Sequence, residues 1–499
     1  MRQGRPLRGE PAGAGVTSTL AVRGAGWTVC GVGVQRAAQT GALLVLARLL
    51  APEDFGLMAL AVLMMSFVAR VKSLGLLTAF VQYRGDAEAA ADTLLLIGCV
   101  LTAAALLAIL LLSPPLAAWF GAPRAGAVLI AVSLRMVPDL AGSVPSALAM
   151  RALRYRRLAA VTVGESLIAA VVSIALAFSG WGVWALVTGL LAGATAAGIA
   201  WWAPPMWRPR LRFDLAAAEE IVRTGVRIWS SGSLLFAIDS ANRLFVGRYL
   251  GVTTLGLYDV ASRLVHAPLQ SVLGIYDRVV LPAFCREQED RGRLGDWLVR
   301  VTGSFLLVTA LASGVLFFFA DVLVPVLIGS KWAPVVGPVR ALAPYVLLLP
   351  LVSMAPAYIS RGRVDTLFRF TAARALVTIA ALFWASHVSL LAVCAVESVA
   401  VAVFAPVNLY LVSRILGLGP GRLARAAAAP ACGLAAFAAA ALTLRVSGVG
   451  AFLGPAAAAL LFPLGAAVAF CLAVYGVRPS IVADAKQVLL VVVGRERFG

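Results

Sequence analysis

Apolar residues arrive in runs of about twenty along this chain, parted by short polar or glycine- and proline-bearing breaks. A run of about 20 residues at about 1.5 Å rise spans the roughly 30 Å hydrocarbon core of a bilayer. Each run is therefore predicted to be a transmembrane helix. A window of about 19 residues finds fourteen, at 26–47, 56–80, 93–112, 125–150, 159–178, 181–202, 221–246, 256–284, 298–327, 335–359, 370–386, 390–411, 423–444 and 451–475. Pro138, Pro268, Pro344 and Pro350 fall inside spans, where proline kinks a helix and leaves carbonyls for neighbouring helices to satisfy.

One stretch occurs twice. VLARLLAPEDFGLMALA from Val45 to Ala61 matches FVGRYLGVTTLGLYDVA from Phe245 to Ala261 at an offset of 200, with Arg48, Leu50, Gly56, Leu57 and Ala61 meeting Arg248, Leu250, Gly256, Leu257 and Ala261. Each copy is a hairpin corner opening a set of six helices, and both follow an odd-numbered span. The pattern predicts two parallel six-helix lobes related by an axis along the membrane normal. The expected organisation is a basic N-terminus (1–25), an N-lobe (26–202), a linker (203–220), a C-lobe (221–413), two further helices (414–475) and a tail (476–499).

Composition sharpens the class. With 61% hydrophobic and 13% charged residues and a mean hydropathy of +0.94, the chain has about half the charge a water-soluble protein of its size carries, which excludes a cytosolic enzyme. The net charge of +19 is nearly all arginine, the lysines being Lys72, Lys331 and Lys486. Nucleic-acid binding calls for a contiguous basic face, whereas these arginines lie between spans or singly within them. Two histidines and six dispersed cysteines without a CxxC suggest neither a metal centre nor a disulfide framework; no cofactor is expected. The first 23 residues carry Arg2, Arg5, Arg8 and Arg23 without a compact apolar core and cleavage site, so no removable signal peptide is read.

Orientation follows from the basic residues. The N-terminus, the even-numbered connections and the tail, with their flanking turns, hold 29 of the 42 basic residues; the odd-numbered connections hold Arg48, Arg124, Arg248, Lys331 and Arg445. The positive-inside rule places both termini in the cytoplasm. The clusters Arg151, Arg154, Arg156, Arg157 and Arg208, Arg210, Arg212 read as topology anchors, with anionic membrane lipids as the natural partners.

The remaining basic residues, Arg36, Arg70, Lys72, Arg135, Arg243, Arg263, Arg278 and Arg340, lie inside spans. Insertion scales put each at about 2.5–3.5 kcal/mol near a helix centre, so they must face water, an acid or an anionic ligand. Asp139, Asp239 and Asp259 stand four residues from Arg135, Arg243 and Arg263, on the same helix face. Such pairs serve equally to glue helices. Asp277 and Glu397 have no basic residue at that spacing, and Glu165 is expected near the cytoplasmic end of its helix. In the eighth span Asp259, Arg263, His266, Gln270 and Asp277 form one polar stripe, echoed by Arg36, Gln39 and Thr40 in the first span and by Asp239, Asn242 and Arg243 in the seventh. Polar stripes on apolar spans predict a water-filled interior. Arg36, Arg70 and Arg340 lack a local acid, and an unpaired guanidinium in a lumen is a fork for phosphate or carboxylate.

VLARLLAPEDFG (Val45–Gly56), GSVPSALAMRALRYRRLA (Gly142–Ala159), GWGVWALVTG (Gly180–Gly189), RLFVGRYLGVTTLGLYDVASRLVHAPLQ (Arg243–Gln270) and VVLPAF (Val279–Phe284) together resemble the Wzx-type polysaccharide flippases of the multidrug/oligosaccharidyl-lipid/polysaccharide superfamily. The resemblance covers roughly 26–374. It implies an all-α integral membrane carrier with two lobes like those of the multidrug (MATE) exporters and two extra C-terminal helices. Such carriers, which are not enzymes, move polyprenyl-pyrophosphate-linked oligosaccharide units across the bacterial inner membrane by alternating access, for lipopolysaccharide or exopolysaccharide biosynthesis. Partners would be the lipid-linked oligosaccharide and a polysaccharide polymerase with its assembly proteins. Arg36, Arg70, Arg243, Arg263, Arg340 and Gln270 would then meet pyrophosphate and sugar, and Asp239, Asp259, Asp277 and Glu397 are candidates for ion coupling or charge pairing. The alternatives are a peptidoglycan-precursor flippase, a multidrug antiporter, for which an acidic lumen is expected, and a membrane polymerase or ligase, for which a large extracytoplasmic loop is expected.

Overall fold

The structure, a computed structural model, describes residues 14–203, 205, 207–266, 291–417, 419–447 and 449–477. Helices follow one another with no strand among the described residues. In chain order they are α1 (Ala14–Leu49), α2 (Pro52–Ser73, with a short continuation Leu76–Gln82), α3 (Ala87–Trp119), α4 (Pro123–Ser133 and Met136–Arg151), α5 (Tyr155–Phe178) and α6 (Val183–Trp201). Next come α7 (Leu215–Phe245, closed by a π-turn Val246–Leu250), α8 (252–266 in its described part), α9 (Arg291–Ile328), α10 (Val336–Val352, between a 3-10 turn Ser330–Val335 and a short helix Ala355–Ile359) and α11 (Val364–Ala385). Helices α12 (Leu390–Leu416), α13 (Pro420–Val446) and α14 (Val449–Val477) complete the order.

Eleven of these segments are long and apolar enough to cross a membrane, consistent with the fourteen runs read from the sequence. The two long helices outside the eleven are α1 and α7, whose polar stripes lower their hydropathy. The described part of α8 is short, and it carries the third stripe. Large apolar side chains such as Val100, Leu111, Val171, Leu376, Trp384, Leu460 and Leu472 stand exposed around the outside of the bundle. An exterior of that kind belongs in acyl chains, not water. The chain is a multi-pass membrane protein.

Helix α5 packs between α1 and α6, and α10 between α9 and α12. Helices α13 and α14 pack on one another and on α9, through Phe319, Phe437, Phe462 and Phe470. The proline expectation is met at α4. Pro138 offers no N–H to the Leu134 carbonyl and its ring crowds that group. Leu134 and Arg135 accordingly form a turn that splits α4. Pro268 lies outside the described residues.

The two repeated corners meet. An added Cβ on Gly56 would overlap the Val252 carbonyl, and one on Gly256 would overlap the Pro52 carbonyl, so only glycine lets the two backbones approach this closely. Around them a single core takes in Leu43, Leu46, Phe55 and Leu60 from the first six helices and Val246, Leu255, Trp332 and Leu342 from the second set. At this end of the bundle, the corner end, the two halves are joined backbone to backbone. Cations from each half cap the helix ends of the other: Arg48 donates to the carbonyls of Val326 (2.5 Å) and Leu327 (3.0 Å) at the end of α9. In return Lys331 donates to Arg48 (2.9 Å) and Leu50 (2.6 Å), and Trp332 Nε1 to Ala47 (2.7 Å), at the end of α1. The last carbonyls of a helix lack intrahelical partners, and cations are favoured there by the helix dipole.

At the opposite end the link between halves, among the described residues, is α7. Its Trp229 Nε1 donates to the Arg70 carbonyl (2.6 Å) while Arg70 Nη2 donates to the Trp229 carbonyl (3.1 Å). Phe67 and Phe236 stack edge to face beside them at 5.1 Å.

Candidate functional site

Between these two contacts the polar stripes of α1, α7 and α8 converge. At about 1.5 Å per residue, Arg36 lies about 20 Å and Arg263 about 16 Å from the corner end of their helices, and Arg70 about 27 Å. The first two are therefore near mid-bilayer depth. Arg36, Gln39, Thr40 and Leu43 from α1, Arg243 from α7, and Ser262, Arg263 and His266 from α8 line one cavity of about 230 Å³. It adjoins a second of about 330 Å³, which shares Gln39, Leu43 and Arg263 and extends to Arg135, Glu165, Ser166 and Ser173 on α4 and α5.

The charges in the two cavities differ. In the first, three guanidiniums line the cavity, and among the described residues one carboxylate pairs with them: the buried Asp259 accepts from Arg263 Nε at 2.6 Å and stands 3.5 Å from Arg243 Nε. In the second, Arg135 is held by two carboxylates, Asp139 at 3.2 Å and Glu165 at 2.8 Å. Among the described residues, positive charge is therefore in excess at the α1–α7–α8 meeting point. A carboxylate shared between two forks leaves donors on both to spare. His266 adds a polar edge: its Nδ1 meets Ser262 Oγ at 3.0 Å, its ring packs on Tyr345, and its buried Nε2 has no hydrogen-bond partner among the described residues.

The sequence-predicted residues separate into groups. Arg36, Arg243 and Arg263 come together in the cavity. Arg70 does not reach it; the contact with Trp229 and the Phe236 ring, 6.0 Å away, occupies it at the far end. Arg340 is likewise elsewhere, bonded to the Phe317 carbonyl (3.0 Å) and to Asp321 (2.9 Å), which also binds Arg445 from α13 (2.5 Å). Among the carboxylates, Asp259 is the cavity's counter-ion, while Glu397 is buried between α12 and α8 and accepts from Tyr258 Oη at 2.7 Å. Arg243 pairs with Asp259 across helices; the side chain of Asp239, its expected partner, lies outside the described residues, as do Gln270, Asp277 and Arg278. Sequence reasoning missed Glu165 as a ligand of Arg135, since the two stand 30 residues apart on different helices. Among the described residues no group of histidine, cysteine or acidic side chains is placed to hold a metal ion.

Known proteins match along this same region. The model of a family described as polysaccharide biosynthesis protein matches residues 45–337, from the first corner to the start of α10. The succinoglycan biosynthesis transport protein ExoT of Rhizobium meliloti (strain 1021) is 27% identical over 366 residues, covering 73% of this chain and 74% of that protein. The amylovoran biosynthesis protein AmsL of Erwinia amylovora is 27% identical over 241 residues, 48% of this chain and 61% of AmsL. Among solved structures, the lipid II flippase MurJ in an inward closed conformation superposes with a TM-score of 0.70 over 91% of this chain and 99% of that one. At 12% identity that likeness shows the fold.

Proposed function

The chain belongs to the family of polysaccharide biosynthesis proteins, and on that footing we propose that it is a flippase that moves polyprenyl-pyrophosphate-linked oligosaccharide units from the cytoplasmic to the periplasmic leaflet, for exopolysaccharide or lipopolysaccharide assembly. It works by alternating access and carries out no covalent step. In this reading it lies in the bacterial inner membrane with both termini in the cytoplasm and the corner end at the periplasmic side.

The observation that carries the reading is the mid-depth cavity lined by Arg36, Arg243 and Arg263, two of which share the Asp259 carboxylate. A pyrophosphate diester is anionic along its whole path and needs charged donors where the bilayer offers none. Arg36, Arg243 and Arg263 present planar forks that stay protonated and bond phosphate oxygens in pairs. A cationic drug would meet repulsion in the same place, which disfavours the multidrug antiporter reading.

Asp259 sets when the forks are available. With its carboxylate ionised, it holds Arg263 directly and Arg243 at longer range. A proton or cation that neutralises it frees both guanidiniums for the cargo, so ion coupling, in this proposal, acts through Asp259. The two inter-half contacts are the gates: the corner end opens by withdrawing Arg48, Lys331 and Trp332 from the helix ends they cap, and the opposite end by parting Arg70 from Trp229. The polyprenyl tail stays in the bilayer while head group and sugars pass between the halves.

Deleting the gene tests the reading. Lipid-linked oligosaccharide is expected to accumulate on the inner leaflet while polymer falls, and normal export without accumulation contradicts the proposal.

A further inference from the structure

A second set of arginines lies away from the central cavity, at the end opposite the corners. Arg361 and Arg363 flank the turn between the short helix Ala355–Ile359 and α11, and Arg414 is in the last turn of α12. With Thr366, Leu411 and Ile415 they line a cavity of about 570 Å³. Among the described residues its lining contains no acid, and neither Arg363 nor Arg414 has a carboxylate within ion-pair distance. Arg414 lies instead over the Tyr410 ring at 5.8 Å.

The surface leading away from this cavity is apolar and exposed. On α12, Val399, Val403, Val407 and Tyr410 are all exposed and follow at steps of 4, 4 and 3, one stripe that ends a turn before Arg414. At about 1.5 Å per residue the stripe runs about 16 Å into the bilayer, the length of much of an acyl chain. Val364 and Phe368 are exposed on the α11 side. A cationic hollow at the head-group level, continuous with an apolar track, fits an amphiphile with an anionic head. A free phosphate would have no use for the track.

We propose that the Arg361–Arg363–Arg414 cavity binds the phosphate head group of an anionic membrane phospholipid whose acyl chain lies along α12. This does not rest on the transport reading above. The bound lipid would fix α11 to α12 at the end that proposal assigns to the cytoplasm.

Native mass spectrometry of the full-length protein in neutral detergent tests it, with phosphatidylglycerol, phosphatidylcholine, inorganic phosphate and a polyprenyl pyrophosphate as probes. Phosphatidylglycerol is expected to be retained at least tenfold more tightly than phosphatidylcholine. Arg363→Gln with Arg414→Gln should lower that retention about tenfold, while Arg263→Gln in the central cavity leaves it unchanged. Arg363→Lys with Arg414→Lys, which keeps the charge but loses the planar fork, should fall between. Equal retention of the two phospholipids, or no loss in the glutamine pair, overturns the site. Displacement by inorganic phosphate at the lipid's own affinity, or stronger capture of the polyprenyl pyrophosphate by the same arginines, overturns the assignment to a phospholipid.

Discussion

Arg263 and Arg340 both interrupt apolar spans, and the sequence gives no way to tell them apart by cost. Their surroundings do. Arg263 shares Asp259 with Arg243 and borders both central cavities, whereas Arg340 and Arg445 share Asp321, bonding α10 to α9 and α13. A charge-assisted hydrogen bond is worth about 1.5–3 kcal/mol, so Arg263→Gln is expected to slow translocation by a factor of about ten to one hundred with normal membrane insertion. Arg340→Gln removes a half-exposed pair worth at most about 1 kcal/mol and should leave translocation unchanged while slightly lowering the unfolding temperature. Transport assays on the two variants at matched expression separate the roles. Asp259→Asn mimics the neutral carboxylate: cargo binding should persist or tighten while dependence on the ion gradient is lost. Retained gradient dependence in that variant would remove Asp259 from coupling. The three arginines of the cavity were legible because α1, α7 and α8 each carry a polar stripe at helical spacing. The placement of Arg70 was not, because its partners are the backbone and ring atoms of Trp229 and Phe236, more than 150 residues away.

Helices here are shaped by what happens at their breaks and ends. Pro138 splits α4 at Leu134–Arg135, and the break sets Arg135 at cavity depth between Asp139 and Glu165. The sequence showed the proline, the arginine and Glu165, but the expectation of Glu165 near the cytoplasmic end of its helix is corrected: it stands ten residues inside α5, at cavity depth. Cations at helix ends take up carbonyls that the helix leaves unpaired. Arg151 bonds the carbonyls of Phe80 and Tyr83, and Arg157 those of Ala200 and Trp201, so these two anchors of a basic cluster also fasten helix ends. The few basic residues on the odd-numbered connections are likewise held: Arg48 and Lys331 on helix ends, Arg124 near Glu53, Arg248 over Trp119 and Tyr249, and Arg445 on Asp321 and the Phe318 carbonyl. The repeat, visible as five identities, proved to be a contact between its own two copies. Gly56→Ala or Gly256→Ala puts a Cβ into backbone; each is expected to prevent the corner contact from forming and to reduce transport at least tenfold with normal insertion. Wild-type transport in both would show that the close approach is dispensable.

At the scale of the molecule, two six-helix sets touch at the corner end and again through α7, with the charged cavity between the contacts. The fold class and the parallel repeat were open to sequence reasoning, because bilayer thickness fixes helix length and duplication leaves a fixed offset. The two contacts between the halves were not, because each is built from pairs far apart in the chain. Weakening the corner contact with Arg48→Gln and Lys331→Gln should shift the population toward a state open at that end. Labelling of a cysteine placed at Gln39 by a membrane-impermeant thiol reagent, added from that side in a background lacking the native cysteines, should then rise severalfold, and no rise would dismiss the contact as a gate. In the proposed cycle the forks of Arg36, Arg243 and Arg263 carry a lipid-linked pyrophosphate across the bilayer. The most direct test is translocation of a polyprenyl-pyrophosphate oligosaccharide by the purified protein in sealed proteoliposomes, scored by access of an impermeant lectin or glycosidase on the far side. The wild type is expected to deliver the cargo and the triple variant Arg36→Gln, Arg243→Gln, Arg263→Gln to deliver none above empty vesicles; equal delivery by both would rule out these arginines as the carriers of the pyrophosphate.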